Sequence, residues 1–239
     1  TKVGHRVENT NIVLDYSKSH IIKSCDESLK RLRRDKIDYY QFHSAKLNHL
    51  EDGECIEAME ELKEKGKIRY WGISLNTFNP YPEAEYLIER NLADGFQLVL
   101  NVINQRSLKL IKKAEEKNYG VIARIPLQFG LLTGKFDKSK TFDKNDHRYF
   151  RLPPEFLTEL LDSLDEVWEI AEKYKISKTS FALSFILSVD GVSTVIPGIK
   201  TPEQAELNTK DIIRIDDDDI RALQNLFESK FDKLVAKMV

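Results

Sequence analysis

The sequence has few cysteines and no long apolar segment. Its two cysteines, Cys25 and Cys55, both lie in amphipathic helical patterns, so we expect neither a disulfide framework nor a CxxC metal site. No run of about 18 apolar residues occurs, and the opening TKVGHRVENT lacks an apolar signal-peptide core. These absences argue against a membrane-spanning protein and favour a reducing, cytoplasmic setting.

An excess of charge and several catalytic motifs are also missing. Lysine and arginine (37) nearly balance aspartate and glutamate (39), so no net field favours nucleic acid or an anionic membrane as a partner. P-loop, serine-elbow, HExxH and GxGxxG patterns are absent. The acidic run 216–219 fits a helix start and is assigned no metal. The expected partner is therefore a small molecule.

What the sequence does contain is a regular alternation of short apolar strands and amphipathic helices. This order implies right-handed crossovers and a parallel sheet. The strand-end residues His43, Ser74, Asn101 and Pro126 are 31, 27 and 25 residues apart, which fits an α/β fold of the closed (β/α)8 barrel type. We expect one domain over residues 1–239, with six strands near 1–4, 37–43, 68–74, 95–101, 119–125 and 192–197.

Several helices and one long loop are also expected. The first helix should begin after Ser17 and place Leu32 on its apolar face. Residues 135–154 are polar and lack apolar periodicity, so they are predicted to form a long functional loop without regular structure. The later helices are predicted near residues 154–174, 178–188, 202–208 and 216–227.

Polar residues gather at the predicted strand ends, where barrels of this class carry their chemistry. A lone histidine at such a position fits a structural role as well as a catalytic one. The barrel mouth would carry a lysine, an imidazole and amide side chains. Such groups can polarise a carbonyl group, while a bound cofactor performs the redox chemistry. The residues at these positions are Lys2, His43, Ser74, Asn76, Gln97, Asn101, Arg124, Pro126 and the segment 197–200.

Two segments are suited to binding phosphate. The segment IPLQFGLLTGK, 125–135, combines Gly130 and Gly134 with a terminal Lys135, which allows close approach of an anion to the backbone. The segment VIPGIKTPEQAELN, 195–208, supplies Lys200 and opens a helix. Phosphate binding after the last strand is a recurring use of this barrel.

The sequence resembles the aldo-keto reductases from residue 1 to about residue 213. The matching elements, in order, are TKVG, SLKRL with IDYYQFH, KGKIRYWGIS, GFQLVLN, IPLQFGLLTGK and VIPGIKTPEQAELN. The resemblance implies a (β/α)8 barrel that binds NADP(H) across the strand ends. It also implies that the protein reduces an aldehyde or ketone to an alcohol by hydride transfer.

The resemblance also implies roles for individual residues. Lys2 and His43 look like the catalytic lysine and histidine of the family, which raises the catalytic interpretation of His43 above the structural one. Lys200 is the expected ligand of the 2′-phosphate, and Arg124 stands where many members stack an aromatic ring on the nicotinamide. The other expected cofactor-binding residues are Ser74 and Gln97 for the carboxamide, Pro126, Leu127, Gly130, Leu132 and Lys135 for the pyrophosphate side, and Gly198, Gln204 and Asn208 for the adenosine end.

The sequence departs from the family pattern in three respects. Leu75 and Leu207 replace an amide-bearing and an acidic cofactor contact. The catalytic aspartate and tyrosine of the family lie upstream of its lysine, and this sequence begins one residue before Lys2. We therefore expect a C-terminal portion of a longer polypeptide, with about six of eight βα units. Tyr16 and Tyr149 are expected in loops, and the remaining histidines, His5, His20, His49 and His147, at the surface.

Two alternative functions follow from these departures. A degenerate cofactor-binding or regulatory module with little reductase activity fits the absent acid. An isomerase or aldolase on a phosphate-binding barrel would need a Schiff-base lysine or a carboxylate base at a central strand end, and Ser74, Gln97 and Asn101 do not serve as either. The sequence leaves open the carbonyl substrate, the preference between NADPH and NADH, and the oligomeric state.

Overall fold

The computed structural model describes residues 1–237, in which strands and helices alternate. The strands are β1 (Lys2–Val3), β2 (His5–Glu8), β3 (Asn11–Leu14), β4 (Ile37–His43), β5 (Ile68–Ser74), β6 (Gly95–Val99), β7 (Gly120–Arg124) and β8 (Thr194–Ile196). The helices are α1 (Lys18–Leu32), α2 (Leu47–Asp52), α3 (Glu54–Glu64), α4 (Tyr81–Glu89), α5 (Leu108–Glu116), α6 (Arg148–Arg151), α7 (Pro154–Ser163), α8 (Asp165–Glu172), α9 (Lys178–Leu187), α10 (Pro202–Thr209), α11 (Asp217–Leu226) and α12 (Asp232–Val235). A 3₁₀ segment covers Gln128–Thr133, and a π-helical turn covers Phe227–Phe231.

The chain divides into two compact units, and each has parallel strands. The first unit comprises Thr1–Leu98 and Lys112–Val121, and the second comprises Val99–Ile111 and the chain from Ile122 onward. In the first unit β1 pairs with β4, β4 with β5, and β5 with β6, all in parallel. In the second unit β7 pairs in parallel with β8. All six predicted strands have a counterpart, and the predicted α/β class is confirmed.

Helix α1 forms where the sequence predicts it and ends at Leu32, the last residue of its apolar pattern. The Ser17 hydroxyl accepts a hydrogen bond from the His20 N–H, at 3.4 Å, and so caps the first turn. Ile21 and Cys25 are fully buried on its inner face. Arg33 takes a left-handed conformation and terminates the helix. The expected burial of Leu32 is wrong: at the last position of the helix, this side chain is 53% exposed.

Trp71 and Asp94 fasten the centre of the first unit. The Trp71 indole N–H donates to Glu60 on α3, at 2.7 Å, and its backbone N–H donates to the Asp94 carboxylate, at 2.9 Å. Lys63 completes the set by pairing with Asp94 at 3.1 Å. Since Trp71 is fully buried and packs edge-on against Phe42 of β4, these contacts lock α3, β4 and β5 together.

In the second unit, buried hydroxyl groups hold the segment after α10 against α9. Ser184 accepts a hydrogen bond from the Ile213 N–H, at 3.1 Å, and Ser188 accepts one from the Ile215 N–H, at 2.8 Å. The acidic run begins α11 as predicted, with Asp216 as its N-cap. Asp219 from this run accepts hydrogen bonds from Lys173 and the Tyr174 hydroxyl, so it connects α11 to the end of α8.

Short elements were absent from the sequence-based expectation. The hairpin β2–β3 turns through Asn9 and Thr10, whose positive φ angles of 46° and 72° suit a tight turn. Helix α2 was also not expected. The predicted single helix over 154–174 is two helices, α7 and α8, which meet at Leu164.

The predicted loop 135–154 contains the short helix α6, and the expectation that Tyr149 lies in a loop is wrong. The Asp146 carboxylate accepts hydrogen bonds from the backbone N–H and the Nε of Arg148, the first residue of this helix, both at 2.9 Å. The same contacts hold the pKa of Asp146 well below its usual range.

Cys25 and Cys55 are free thiols buried in the first unit. Among the described residues, no group of three or more His, Cys, Asp and Glu side chains is placed to hold a metal ion. Between residues 1 and 237, the helices are too short or too polar to cross a membrane.

Gly4 is predicted to be essential for the stability of the first unit. Its φ is +111°, and a Cβ there would lie 2.2 Å from the Tyr16 ring. Gly4→Ala should therefore lower the free energy of unfolding by roughly 2–5 kcal/mol, from backbone strain and overpacking together. The measurement is urea unfolding followed by the fluorescence of Trp71 in a Trp168→Phe background.

Gly53→Ala is the matched control. Its φ is +88°, but nothing lies within 4 Å of a Cβ at that position, so only backbone strain of roughly 1–2 kcal/mol is expected. If both variants lose the same free energy of unfolding, the contact with Tyr16 does not cause the destabilisation of Gly4→Ala.

Candidate active site

Three side chains meet at the strand ends of the first unit. The Lys2 ammonium donates hydrogen bonds to the Ser74 hydroxyl, at 3.2 Å, and to the Gln97 amide oxygen. The Ser74 hydroxyl also donates to Gln97, at 3.2 Å. Ser74 and Gln97 are almost fully buried, while Lys2 is partly exposed. Ser74 and Gln97 thereby hold the Lys2 ammonium at the strand ends, where a positive charge can stabilise a developing negative charge.

The strand register explains why these residues converge. Ser74 ends β5 and lies directly beside His43 on β4 and beside Gln97 on β6. Lys2 on β1 lies beside Gln41, two residues before His43 on the same face of β4. Residues that share a register in a parallel sheet present their side chains to the same side, so His43 stands next to the Lys2 cluster.

His43 has a second histidine against it. Its imidazole ring stacks on that of His5, the first residue of β2, with 4.0 Å between ring centroids and 26° between planes. His5 was expected to be a surface residue. It is exposed, as expected, but its ring belongs to the surroundings of His43. The sequence gives no local signal for this contact, because the hairpin must first fold back toward the end of β4.

Tyr16 supports the backbone of His43. The Tyr16 hydroxyl donates a hydrogen bond to the His43 carbonyl oxygen, at 2.6 Å, and its ring packs edge-on against Phe42 and beside His49. The residue is in a connecting segment, as expected, yet it is buried. Burial raises the pKa of the Tyr16 hydroxyl above its usual range. Tyr16 therefore acts as a neutral hydrogen-bond donor that fixes the end of β4.

Asp15 fastens the hairpin to the start of α1. Its carboxylate accepts hydrogen bonds from the Ser17 N–H and hydroxyl, at 3.1 and 2.7 Å, and pairs with Arg6 at 3.3 Å. Burial alone would raise the pKa of Asp15, but the Ser17 hydrogen bonds and the positive charges of His20 and Arg6 lower it overall.

In the second unit, the predicted nucleotide residues follow the ends of β7 and β8. Arg124 is the last residue of β7, and burial lowers the pKa of its guanidinium below the usual value. Beyond it the chain is braced by Asn101, whose side-chain amide donates to the Ile125 carbonyl, at 3.0 Å, and to Gln128, at 2.7 Å. Asn101 was a strand-end candidate, and the structure shows it supporting this loop.

The segment after β7 is a tight turn with few exposed side chains. Pro126 and Leu132 are buried, Leu127 is partly buried, and Lys135 is exposed. Gly130 has φ of +99° and its carbonyl accepts a hydrogen bond from the Thr133 hydroxyl, at 2.7 Å. Because the Leu132 side chain is fully buried, only its backbone is left for a contact with a ligand.

The segment after β8 forms a small hydrogen-bonded cradle. The Lys200 N–H donates to the Gln204 side chain, at 2.6 Å, and the Gln204 N–H donates to the Thr201 hydroxyl, at 3.3 Å. The Asn208 amide donates to the Gly198 carbonyl oxygen, at 3.3 Å. Gln204 and Asn208 are one turn apart on α10, so both reach back to the strand exit, while the Lys200 side chain is exposed.

The predicted residues therefore form separate groups in each unit. The structure brings Lys2, His43, Ser74 and Gln97 together in the first unit. It brings Gly198, Lys200, Gln204 and Asn208 together in the second, where Arg124 ends β7 and the segment 126–135 follows it. His5 and Tyr16 are the additional neighbours of His43 that the sequence analysis missed.

Comparison with known proteins identifies the family. The sequence model described as "Aldo/keto reductase family" matches residues 1–228. The chain is 31% identical to the uncharacterized oxidoreductase YqkF of Bacillus subtilis, over 94% of this chain and 72% of that protein. It is 30% identical to the L-glyceraldehyde 3-phosphate reductase of Escherichia coli K12, over 91% of this chain and 68% of that protein.

Solved structures agree with the sequence relatives. A glycerol dehydrogenase from Gluconobacter oxydans matches with a TM-score of 0.78 and 28% identity, over 95% of this chain and 71% of that one. The holo form of an aldo-keto reductase from Bacillus halodurans matches with a TM-score of 0.75 and 26% identity, over 94% and 71%. The expected α/β fold of the aldo-keto reductase barrel type is thereby confirmed, and the chain belongs to the aldo/keto reductase family.

Proposed function

We propose that this protein reduces an aldehyde or ketone to the alcohol, with NADPH as the hydride donor, and that Lys2 and His43 belong to its catalytic set. Family membership supports an oxidoreductase that uses NAD(P)H. The observation that carries the proposal is the contact of Lys2 with Ser74 and Gln97 beside His43. No observation favours a degenerate module over the reductase.

The residues present fit a nicotinamide cofactor. The Ser74 hydroxyl and the Gln97 amide offer both hydrogen-bond donors and acceptors, which a carboxamide needs. In the second unit, the exposed Lys200 ammonium stands at the start of α10, where backbone N–H groups favour a phosphate. We propose that Lys200 binds the 2′-phosphate of NADP(H), while Arg124, the segment 126–135 and the residues Gly198, Gln204 and Asn208 make the other expected contacts.

The bound cofactor supplies the hydride, and the side chains of the first unit act on the carbonyl oxygen. His43 donates a hydrogen bond to that oxygen and orients the substrate. The positive charge of Lys2 stabilises the negative charge that develops there. In the family Lys2 has a further role, which is to lower the pKa of a tyrosine acid upstream of it. Tyr16 is not proposed for that role, since its hydroxyl is already bonded to the His43 carbonyl oxygen.

The remaining expectations are part of the same proposal. The partner is a small-molecule carbonyl compound, with no role for nucleic acid or a membrane. We propose a single barrel domain over residues 1–239, of which the last two lie outside the described residues. We propose a cytoplasmic location from the scarcity of cysteine.

His43→Gln is expected to lower kcat for aldehyde reduction by roughly 10²-fold, because the more flexible amide donates from a different position and orients the carbonyl group less well than the imidazole. The measurement is NADPH oxidation under saturating aldehyde. His20→Gln, on α1, is the control and should keep the wild-type kcat. Retention of kcat in His43→Gln would remove His43 from the catalytic set.

Ser74→Ala is expected to weaken NADPH binding by about 5–20-fold, since the carboxamide loses one hydrogen-bonding partner in a buried position. Titration by cofactor fluorescence measures the Kd. Ser28→Ala removes a hydroxyl that is equally buried on α1 and should leave the Kd unchanged. An unchanged Kd in both variants would contradict the assignment of Ser74.

Lys200→Ala is expected to reduce the preference for NADPH over NADH by about tenfold or more, because only NADPH carries the phosphate that pairs with the ammonium group. The readout is the ratio of the two Kd values. Lys210→Ala, just beyond the end of α10, removes the same charge and should leave the ratio unaltered. If Lys200→Ala weakens both cofactors equally, Lys200 does not read the 2′-phosphate.

A further inference from the structure

The hairpin β2–β3 presents an exposed apolar face. In its register, His5 lies opposite Leu14 and Val7 lies opposite Ile12, and residues opposite one another share a face. Val7 is 72% exposed, Ile12 is 68% exposed and Leu14 is 42% exposed. These four side chains, which we call the hairpin face, carry no carboxylate and no ammonium or guanidinium group.

The other face of the hairpin is tied to the protein by charge. Arg6 lies opposite Val13, and its guanidinium pairs with Glu8, at 2.6 Å, and with Asp15, at 3.3 Å. The hairpin is also closed at its base, where the Asp15 N–H donates to the Gly4 carbonyl oxygen, at 3.0 Å. Arg6 and Glu8 are themselves exposed, so these contacts anchor the hairpin without burying its other face.

The hairpin face begins at the candidate active site. His5 stacks directly on His43, and Leu14 is the cross-strand neighbour of His5. Val7 and Ile12 lie two residues further along the strands, which is roughly 7 Å from the first pair. The hairpin face therefore leads outward from the imidazole that we propose for the carbonyl oxygen.

We infer that the hairpin face binds the apolar part of the carbonyl substrate. The inference rests on the proposed function, because it assumes that His43 holds the carbonyl oxygen. Under this inference, the protein prefers aldehydes or ketones whose alkyl chain or ring extends roughly 7 Å or more past the carbonyl group. Burying two β-branched side chains that are more than two-thirds exposed stabilises such a complex, whereas a short or charged substrate gains nothing from this face.

The kinetic test compares a long and a short aldehyde. The Val7→Thr/Ile12→Thr double variant keeps β-branching, and hence strand propensity, but makes the hairpin face polar. The ratio of kcat/KM for octanal to that for propanal should be well above one in the wild type. It should fall by roughly 5–10-fold in the double variant. Val13→Thr, on the opposite face of the same hairpin, is the control and should keep the wild-type ratio.

A binding measurement separates this inference from the proposed function. Methyl NMR signals of Val7 and Ile12 should shift on addition of 1-octanol, the product-like alcohol, and not on addition of 1-propanol. If aldehydes are reduced but the octanal-to-propanal ratio is the same in wild type and double variant, the inference fails and the proposed function stands. If no aldehyde is reduced yet the methyl signals shift with 1-octanol only, the hairpin face binds an apolar chain, but the proposed function fails and with it the assignment of that chain to a carbonyl substrate.

Two further outcomes would overturn the inference. One is the absence of a methyl shift with either alcohol. The other is a wild-type dimer, seen by sedimentation, that dissociates in the double variant while the octanal-to-propanal ratio stays constant, because the hairpin face would then be a contact between two copies of the chain.

Discussion

The rest of the site depends on the hydrogen bonds that hold the Lys2 ammonium against Ser74 and Gln97. A partly buried ammonium group is stable only where acceptors replace its water, and here Ser74 and Gln97 supply them. These three residues come from β1, β5 and β6, so the register of the parallel strands determines whether the contacts form at all. The same register sets His43 beside Ser74. Because the fold already holds this ammonium group in place, the group would not have to move when negative charge develops on a nearby carbonyl oxygen.

The segment between β1 and α1 contributes three further residues to the site, Gly4, His5 and Tyr16. Gly4 adopts a backbone conformation that side chains disfavour, and this allows Tyr16 to pack against it and to hold the His43 carbonyl oxygen. The same turn sends the chain into the hairpin, whose first residue stacks on His43. One short segment thus supports the end of β4 and, under our inference, also shapes the substrate surface. The position of His43 therefore depends on the backbone conformation of Gly4, which lies far from it in the sequence.

Local patterns were sufficient for the long elements and for the residues at strand ends. Seven-residue apolar strands such as β4 and β5, and N-caps such as Ser17 and Asp216, are encoded by neighbouring residues, so they were predicted correctly. The hairpin was missed because its turn, Asn9-Thr10, lacks the glycine that usually marks a tight hairpin, and helix α6 because it is a single turn of four residues. The stacking of His5 on His43 depends on how the hairpin packs, which no local pattern encodes.

The most direct test of the central claim follows the hydride itself. The purified chain is incubated with NADPH that carries deuterium at both C4 positions of the nicotinamide, together with an aldehyde, and the alcohol is analysed by mass spectrometry. Our account predicts one deuterium on the carbinol carbon of the product, transferred from the cofactor. Failure to form alcohol from protein that binds NADPH, or alcohol without deuterium, would contradict it.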